Sequence, residues 1–136
     1  NKRLTMLETI IIDDTLYALV IRKEFTNENS QFFTEDKLQF QVGYIRYKKG
    51  ETIQPHLHNK QERIVYLTPE FILLKKGKVR VNFFSDKKVL LGNTILNQFD
   101  SILLYEGAHS FDILEDMELI EVKQGPYIEE NDKIKW

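Results

Sequence analysis

The alternation of apolar and polar residues in the middle of the chain is the feature that most constrains its fold. Val79, Val81 and Phe83 alternate with Arg80 and Asn82. Successive side chains of a β-strand point to opposite faces of the sheet, so this period of two predicts a half-buried strand. We therefore expect Val79, Val81 and Phe83 on one buried face, and Arg80 and Asn82 on the other.

Short runs of β-forming residues recur along the rest of the chain, separated by turn residues. Asp13 and Asp14 lie between two such runs and predict a hairpin turn, while Gly50, Gly77 and Gly107 predict positions with positive φ. No stretch has a persuasive helical period. We therefore expect an all-β barrel or sandwich forming one domain over residues 1–136. The other predicted strands are residues 7–12, 16–22, 38–47, 52–58, 71–74, 89–91, 94–96, 102–105, 110–114 and 118–123.

Composition and charge exclude several classes of protein. The chain has 136 residues, no cysteine and a formal net charge of −2. Without cysteine it has neither a disulfide framework nor a thiolate ligand, and its lysine-bearing segments are too short for the basic patch that nucleic acid requires. Residues 1–6 lack the hydrophobic region of a signal peptide, and no apolar run could span a bilayer. We expect a cytoplasmic protein that binds neither nucleic acid nor membranes.

The three histidines of the chain are the residues most suited to chemistry. His56 and His58 are two positions apart, which on a strand places both imidazoles on the same face. Two neutral imidazoles side by side can ligate a divalent ion. The alternative is a pair kept for acid–base or binding work without an ion. The third histidine is His109.

Residues 50–58 resemble the first motif of the cupin family, which has a glycine, five residues and then His-x-His. The motif continues with a glutamate, six residues and a second glycine, and residues 70–77 match that half. The gap between the two halves is longer than usual. Glu62 stands at the usual distance but lacks the following glycine, so we interpret residues 59–69 as an insertion and Glu70 as the motif glutamate.

Residues 100–109 resemble the second cupin motif in their aspartate, strand, glycine and histidine. Phe99 stands where the motif has a glycine, the usual proline is missing, and Ile113 replaces an asparagine. The resemblance covers residues 41–123 and implies a cupin-type jelly-roll barrel, also called a double-stranded β-helix. It implies one divalent ion (Fe, Mn, Ni or Zn) held by a predicted ligand set of His56, His58, Glu70 and His109.

Residues 119–127, with Asp132 and Lys133 after them, look like the ending of small cupins associated with bacterial cell-surface polysaccharide synthesis. Relatives of that group include sugar-nucleotide epimerases and ketoisomerases. The resemblance implies a metal-dependent isomerase or epimerase whose small polar substrate is a sugar or nucleotide sugar. The base that such a reaction needs is left open among Tyr44, Tyr47, Glu62 and Lys123.

Three other functions remain open at the level of sequence. A non-enzymatic cupin could sense a sugar or a metal, a metal-free barrel could act as an epimerase, and an Fe(II) site could support dioxygenase chemistry. We also expect a homodimer, because residues 7–12 and 16–22 carry more apolar surface than a barrel edge normally leaves to solvent.

Overall fold

The computed structural model describes residues 6–136, except the side chain of Asn131, and these residues form β-structure without an α-helix. Residues 1–5, which belong to the segment predicted to lack a signal-peptide hydrophobic region, lie outside this range. The all-β prediction is confirmed. The described strands are β1 (Leu7–Ile12), β2 (Thr15–Ile21), β3 (Gln31–Phe32), β4 (Gly43–Tyr44), β5 (Glu70–Phe84), β6 (Leu90–Leu96), β7 (Ser101–Leu104) and β8 (Ala108–Lys123), and a 3₁₀ turn follows at Glu129–Asn131.

The described residues divide into two compact units. The first comprises residues 6–25 and 67–136 and contains a curled antiparallel sheet of β1, β2, β5, β6, β7 and β8. The second, Thr26–Tyr66, contains the two-stranded antiparallel sheet of β3 and β4. The single domain expected over residues 1–136 stays a prediction.

The β1–β2 hairpin begins the first unit. Asp13 and Asp14, with φ of 49° and 61°, connect β1 to β2. Two consecutive positive φ values are the conformation of a type I′ turn, which suits the right-handed twist of paired strands. The predicted hairpin is confirmed. β2 then pairs with β7, which pairs in turn with the beginning of β5.

The long strand β5 organises the sheet of the first unit. One edge of β5 pairs with β8 along its whole length. The other edge pairs with β7 at its beginning and with β6 at its end, so β5 leaves one neighbour and joins another near its middle. The β5–β8 register shifts repeatedly between Leu74 and Val79, and Gly77 has φ +91°. Such bulges bend a strand, and β5 therefore changes direction around Gly77.

The core of the first unit lies on the face of β5 that carries the alternating apolar residues. Val79, Val81 and Phe83 are 0%, 0% and 1% exposed, which confirms the predicted buried face. Asn82, on the other face, is also largely buried, and its amide donates to Ser110 and Asp112. The core cluster consists of Tyr17, Ala18, Val20, Ile72, Leu74, Val79, Val81, Phe83, Leu96, Ile102 and Leu104.

Several predicted strand boundaries are wrong. The segment Lys75 to Gly77 is a bulge inside β5, not a turn between two strands. Similarly, residues 89–91 and 94–96 merge into β6, and residues 110–114 and 118–123 merge into β8. Each merged strand keeps an antiparallel partner across the predicted break, so pairing overrides the local turn signal.

Two predicted strands of the second unit are also wrong. Of residues 38–47, only Gly43–Tyr44 forms a strand, and residues 52–58 have no regular secondary structure. β-forming residues become a strand only where another strand pairs with them. The composition of residues 38–47 and 52–58 therefore predicted more regular structure than the second unit contains.

Candidate functional site

Glu70, the first residue of β5, is a buried carboxylate on the core side of the sheet. Ile72 and Leu74, two and four positions further on, belong to the core cluster, so the period of two places Glu70 on the same face. Its strand partners are Leu104 on one side and Lys123 on the other. Only 9% of Glu70 is exposed, and a buried carboxylate needs partners of opposite charge or hydrogen-bond donors.

The imidazole of His109 approaches the carboxylate of Glu70. Its Nε2 lies 3.7 Å from Oε2 of Glu70, an ion-pair distance that is longer than a hydrogen bond. The ring of Phe111 packs edge-on against the imidazole, with centroids 5.6 Å apart. Two residues predicted from separate sequence motifs therefore meet on one face of the first unit.

The bend of β5 is what allows this contact. His109 is the β8 partner of Phe83, which lies near the end of β5, whereas Glu70 begins that strand. A straight strand rises about 3.3 Å per residue, so Glu70 and Phe83 would otherwise lie roughly 40 Å apart. Because the strands bend near Gly77, the two ends of β5 approach each other and bring Glu70 to His109.

Glu121 and Lys123 extend the cluster along β8. Lys123 is the strand partner of Glu70, and Glu121 is the partner of Ile72, so both lie on the core face. Burial by itself raises the pKa of Glu70. Polar contacts with His109 and Glu121, together with charge interactions with His109 and Lys123, outweigh burial and lower this pKa to about 2. Glu70 is therefore ionised at neutral pH.

The carboxyl group of Glu121 behaves in the opposite way. Its hydrogen bond with Glu70 raises the pKa of Glu121, and burial raises it further. Where two carboxyl groups are close, ionisation of one makes ionisation of the other less favourable, so Glu121 binds a proton more readily than an isolated glutamate. The pair thus places an ionised carboxylate beside a carboxyl group of raised pKa.

Lys123 also ties the segment after β8 to this cluster. Its Nζ lies 3.2 Å from Oδ2 of Asp132, and it stands 5.1 Å from the ring centroid of Tyr127. The hydrogen bond to Asp132 raises the pKa of Lys123 above its ordinary value. The ammonium group is therefore held in place between Asp132 and the Glu70 carboxylate.

His56 and His58 form a second pair, in the second unit. Their ring centroids are 5.3 Å apart, so the predicted proximity of the two imidazoles is confirmed, although they do not lie on a strand. Nδ1 of His56 lies 2.8 Å from the carbonyl oxygen of Gln54. A carbonyl can only accept, so Nδ1 carries a hydrogen, and in the neutral form of the ring Nε2 has the lone pair. That tautomer is the one a metal-ligating histidine needs.

The predicted ligands therefore appear as two pairs, one in each unit. Within residues 6–136, no group of three or more histidine, aspartate or glutamate side chains is arranged to hold a metal ion. Glu62, the alternative carboxylate, and the possible bases Tyr44 and Tyr47 belong to the second unit, whereas Lys123 lies beside Glu70. The four-ligand site stays a prediction.

Glu121 is the site residue that sequence reasoning missed. The signal was the alternation of Leu119, Glu121 and Lys123, which places all three on one face of a strand. That pattern identifies a site residue only once the pairing of β8 with β5 is known.

The backbone at Phe99, just before Asp100, adopts a left-handed conformation. Its φ is +69°, and its amide donates to the carbonyl oxygen of Leu74. A left-handed conformation is unusual for a large residue. The next residue, Asp100, is 2% exposed, and it accepts hydrogen bonds from Arg22 and from the amides of Lys23 and Asn97.

Comparisons with protein-family models, with curated proteins and with solved structures find no match for this chain. None of the helical structure in residues 6–136 has the length and hydrophobicity needed to cross a bilayer.

Proposed function

We propose that the protein is a metal-binding cupin that isomerises or epimerises a sugar or nucleotide sugar, with Glu70 and His109 as ligands of a divalent ion. The observation that carries the proposal is the 3.7 Å approach of His109 Nε2 to Glu70 Oε2. The two cupin-like motifs assign these residues to one site, although they lie far apart in the sequence. The positive φ of Phe99, where the motif has a glycine, supports the same family.

The donor atoms of Glu70 and His109 have a spacing that suits a shared ion. Ligand atoms that are each about 2.0–2.2 Å from a divalent ion are about 3–4 Å from each other. The separation of 3.7 Å falls within that range without movement of either strand. Glu70 is already ionised, as a carboxylate ligand must be.

The other residues of the cluster would supply proton transfer. A bound divalent ion acts as a Lewis acid on a carbonyl or vicinal hydroxyl of a sugar, which makes the neighbouring carbon-bound proton more acidic. Glu121, whose raised pKa makes it a stronger base than an ordinary carboxylate, would take that proton and return it. Lys123 places a positive charge beside the carboxyl groups, where it would stabilise negative charge on a substrate oxygen.

A metal-free acid–base enzyme is the second candidate. The observation in its favour is that Glu70 already has His109, Glu121 and Lys123 as electrostatic and hydrogen-bonding partners without an ion. In that case His109 and Glu121 would exchange protons with the sugar directly. Treatment with EDTA separates the two candidates, because only the metal-dependent reaction stops and resumes when a divalent ion is added back.

Turnover of nucleotide sugars tests the proposed function. The purified protein, loaded with Fe, Mn, Ni or Zn, is incubated with a panel of 4-keto and 4-hydroxy nucleotide sugars, and products are separated by chromatography. We expect an isomer of one substrate to form, and Glu121→Gln to slow its formation by about 10²–10⁴-fold. Glu118→Gln is the matched control, because Glu118 is an exposed glutamate of the same strand. An unchanged rate in Glu121→Gln would remove it from the mechanism, and no product with any metal would overturn the proposal.

A further inference from the structure

A cavity of about 550 Å³ lies within the second unit. One side is formed by Glu28 and Asn29, in the loop before β3, and the other by Arg46, Tyr47 and Lys48, after β4. A volume of this size holds a small organic ligand.

Hydrogen bonds within the second unit hold the walls of this cavity in place. The amide of Arg46 donates to Oγ of Ser30 at 2.9 Å, and that hydroxyl donates to the carbonyl of Arg46 at 3.2 Å. The guanidinium of Arg46 donates to the carbonyl of Asn27 at 2.7 Å. On the far side, the amide of Lys48 donates to Oε2 of Glu51 at 2.7 Å. The two segments are thus joined at several points, and the pocket is largely formed before a ligand arrives.

The charges that line the cavity balance. Arg46 and Lys48 are cationic, and Glu28 and Glu51 are anionic. An anionic ligand would approach two carboxylates and a cationic ligand two cations, so neither is favoured. Hydroxyl groups both donate and accept, and this mixture of donors and acceptors suits them. Tyr47, 56% of which is exposed, offers an aromatic face to the apolar side of a sugar ring.

From this lining we infer that the cavity is a saccharide subsite that binds an uncharged sugar ring. Glu28 and Glu51 accept hydrogen bonds from sugar hydroxyls, Arg46 and Lys48 donate to them, and the ring stacks on Tyr47. The choice of a sugar as ligand rests on the proposed function. The position of the subsite rests on the cavity alone and does not require a metal.

Saturation-transfer difference NMR with free sugars tests the inference. The probes are the methyl glycosides of glucose, galactose, N-acetylglucosamine and rhamnose, at concentrations on the order of 10 mM, which detect dissociation constants of about 1 mM. We expect signal transfer to at least one sugar. Tyr47→Ala and Glu28→Ala should each weaken binding by about tenfold or more, and Tyr47→Phe, which keeps the ring, should retain it.

Two controls locate the binding site. Glu35→Gln alters an exposed carboxylate of the same unit that does not line the cavity, and it should leave binding unchanged. Binding should also persist after EDTA treatment and in His109→Ala, so the inference is tested separately from the metal centre. No transfer to any of the sugars, or transfer that survives both Tyr47→Ala and Glu28→Ala, would overturn it.

Discussion

Replacing Gly77 by alanine should destabilise the protein more than the same change at Gly50 or Gly92, where an added Cβ has no close neighbour. Gly77 has φ +91°, which costs an L-residue about 1–2 kcal/mol. A Cβ there would lie 2.2 Å from the carbonyl oxygen of Asp116 and 2.8 Å from Cα of Met117, so β8 would have to move. Overpacking of this kind costs about 1–3 kcal/mol. After the entropy that alanine removes from the unfolded chain is subtracted, the net loss is about 2–4 kcal/mol.

Substitutions at two other glycines separate the cost of the backbone conformation from the cost of overpacking. Gly50 has φ +94° but no atom within 4 Å of an added Cβ, so Gly50→Ala isolates the conformational cost of about 1 kcal/mol. Gly92 has neither a positive φ nor a close neighbour, so Gly92→Ala should be neutral or slightly stabilising. Urea denaturation followed by circular dichroism gives the free energies of unfolding. If Gly77→Ala cost no more than Gly50→Ala, the bend of β5 would not depend on close packing against β8.

Three further outcomes are expected. Phe99→Gly should raise the free energy of unfolding by up to about 1 kcal/mol in urea denaturation, because glycine relieves the left-handed conformation at φ +69°; a loss would show that the ring contributes more than the strain costs. Asp100→Ala should lower the free energy of unfolding by about 3 kcal/mol, because it removes three hydrogen bonds and leaves the Arg22 guanidinium with the more exposed Glu8 as its one carboxylate partner among the described residues; a change under about 1 kcal/mol would contradict this. Sedimentation should give a dimer, since β1 has a partner strand on only one side among the described strands; a clean monomer at micromolar concentration would contradict it.

The parts of the fold that sequence predicted are those fixed by local rules. The Asp13–Asp14 turn and the buried face of β5 follow from backbone conformation and from a period of two. Gly77 was correctly predicted to have a positive φ, but its role was wrong. A lysine-rich segment ending in glycine serves a hairpin turn and a bulge equally well, and only the long partner strand β8 decides between them.

The candidate site was predictable only for those residues that lie in recognisable sequence patterns. Glu70 and His109 could be paired because each lies in a segment that resembles one of the two cupin motifs. Glu121 has no such motif, and its role depends on the strand register and on the hydrogen bond that it makes with Glu70. Electrostatic partners that are far apart in the sequence can be identified only once the pairing of the strands is known.

Metal content is the measurement that tests the central claim most directly. Elemental analysis of the purified protein, and of variants reconstituted with the same metal, counts the divalent ions bound per chain. We predict one ion in the wild type and in Glu62→Ala, and its loss in Glu70→Ala and His109→Ala, because each of these removes one ligand of the proposed centre. Loss in His56→Ala as well would place both histidine-bearing motifs on the same ion.

Two results of the metal analysis would contradict this account. Retention of the ion in Glu70→Ala together with its loss in Glu62→Ala would show that the carboxylate ligand is Glu62. A wild-type protein that binds no divalent ion even after reconstitution would contradict the metal centre altogether.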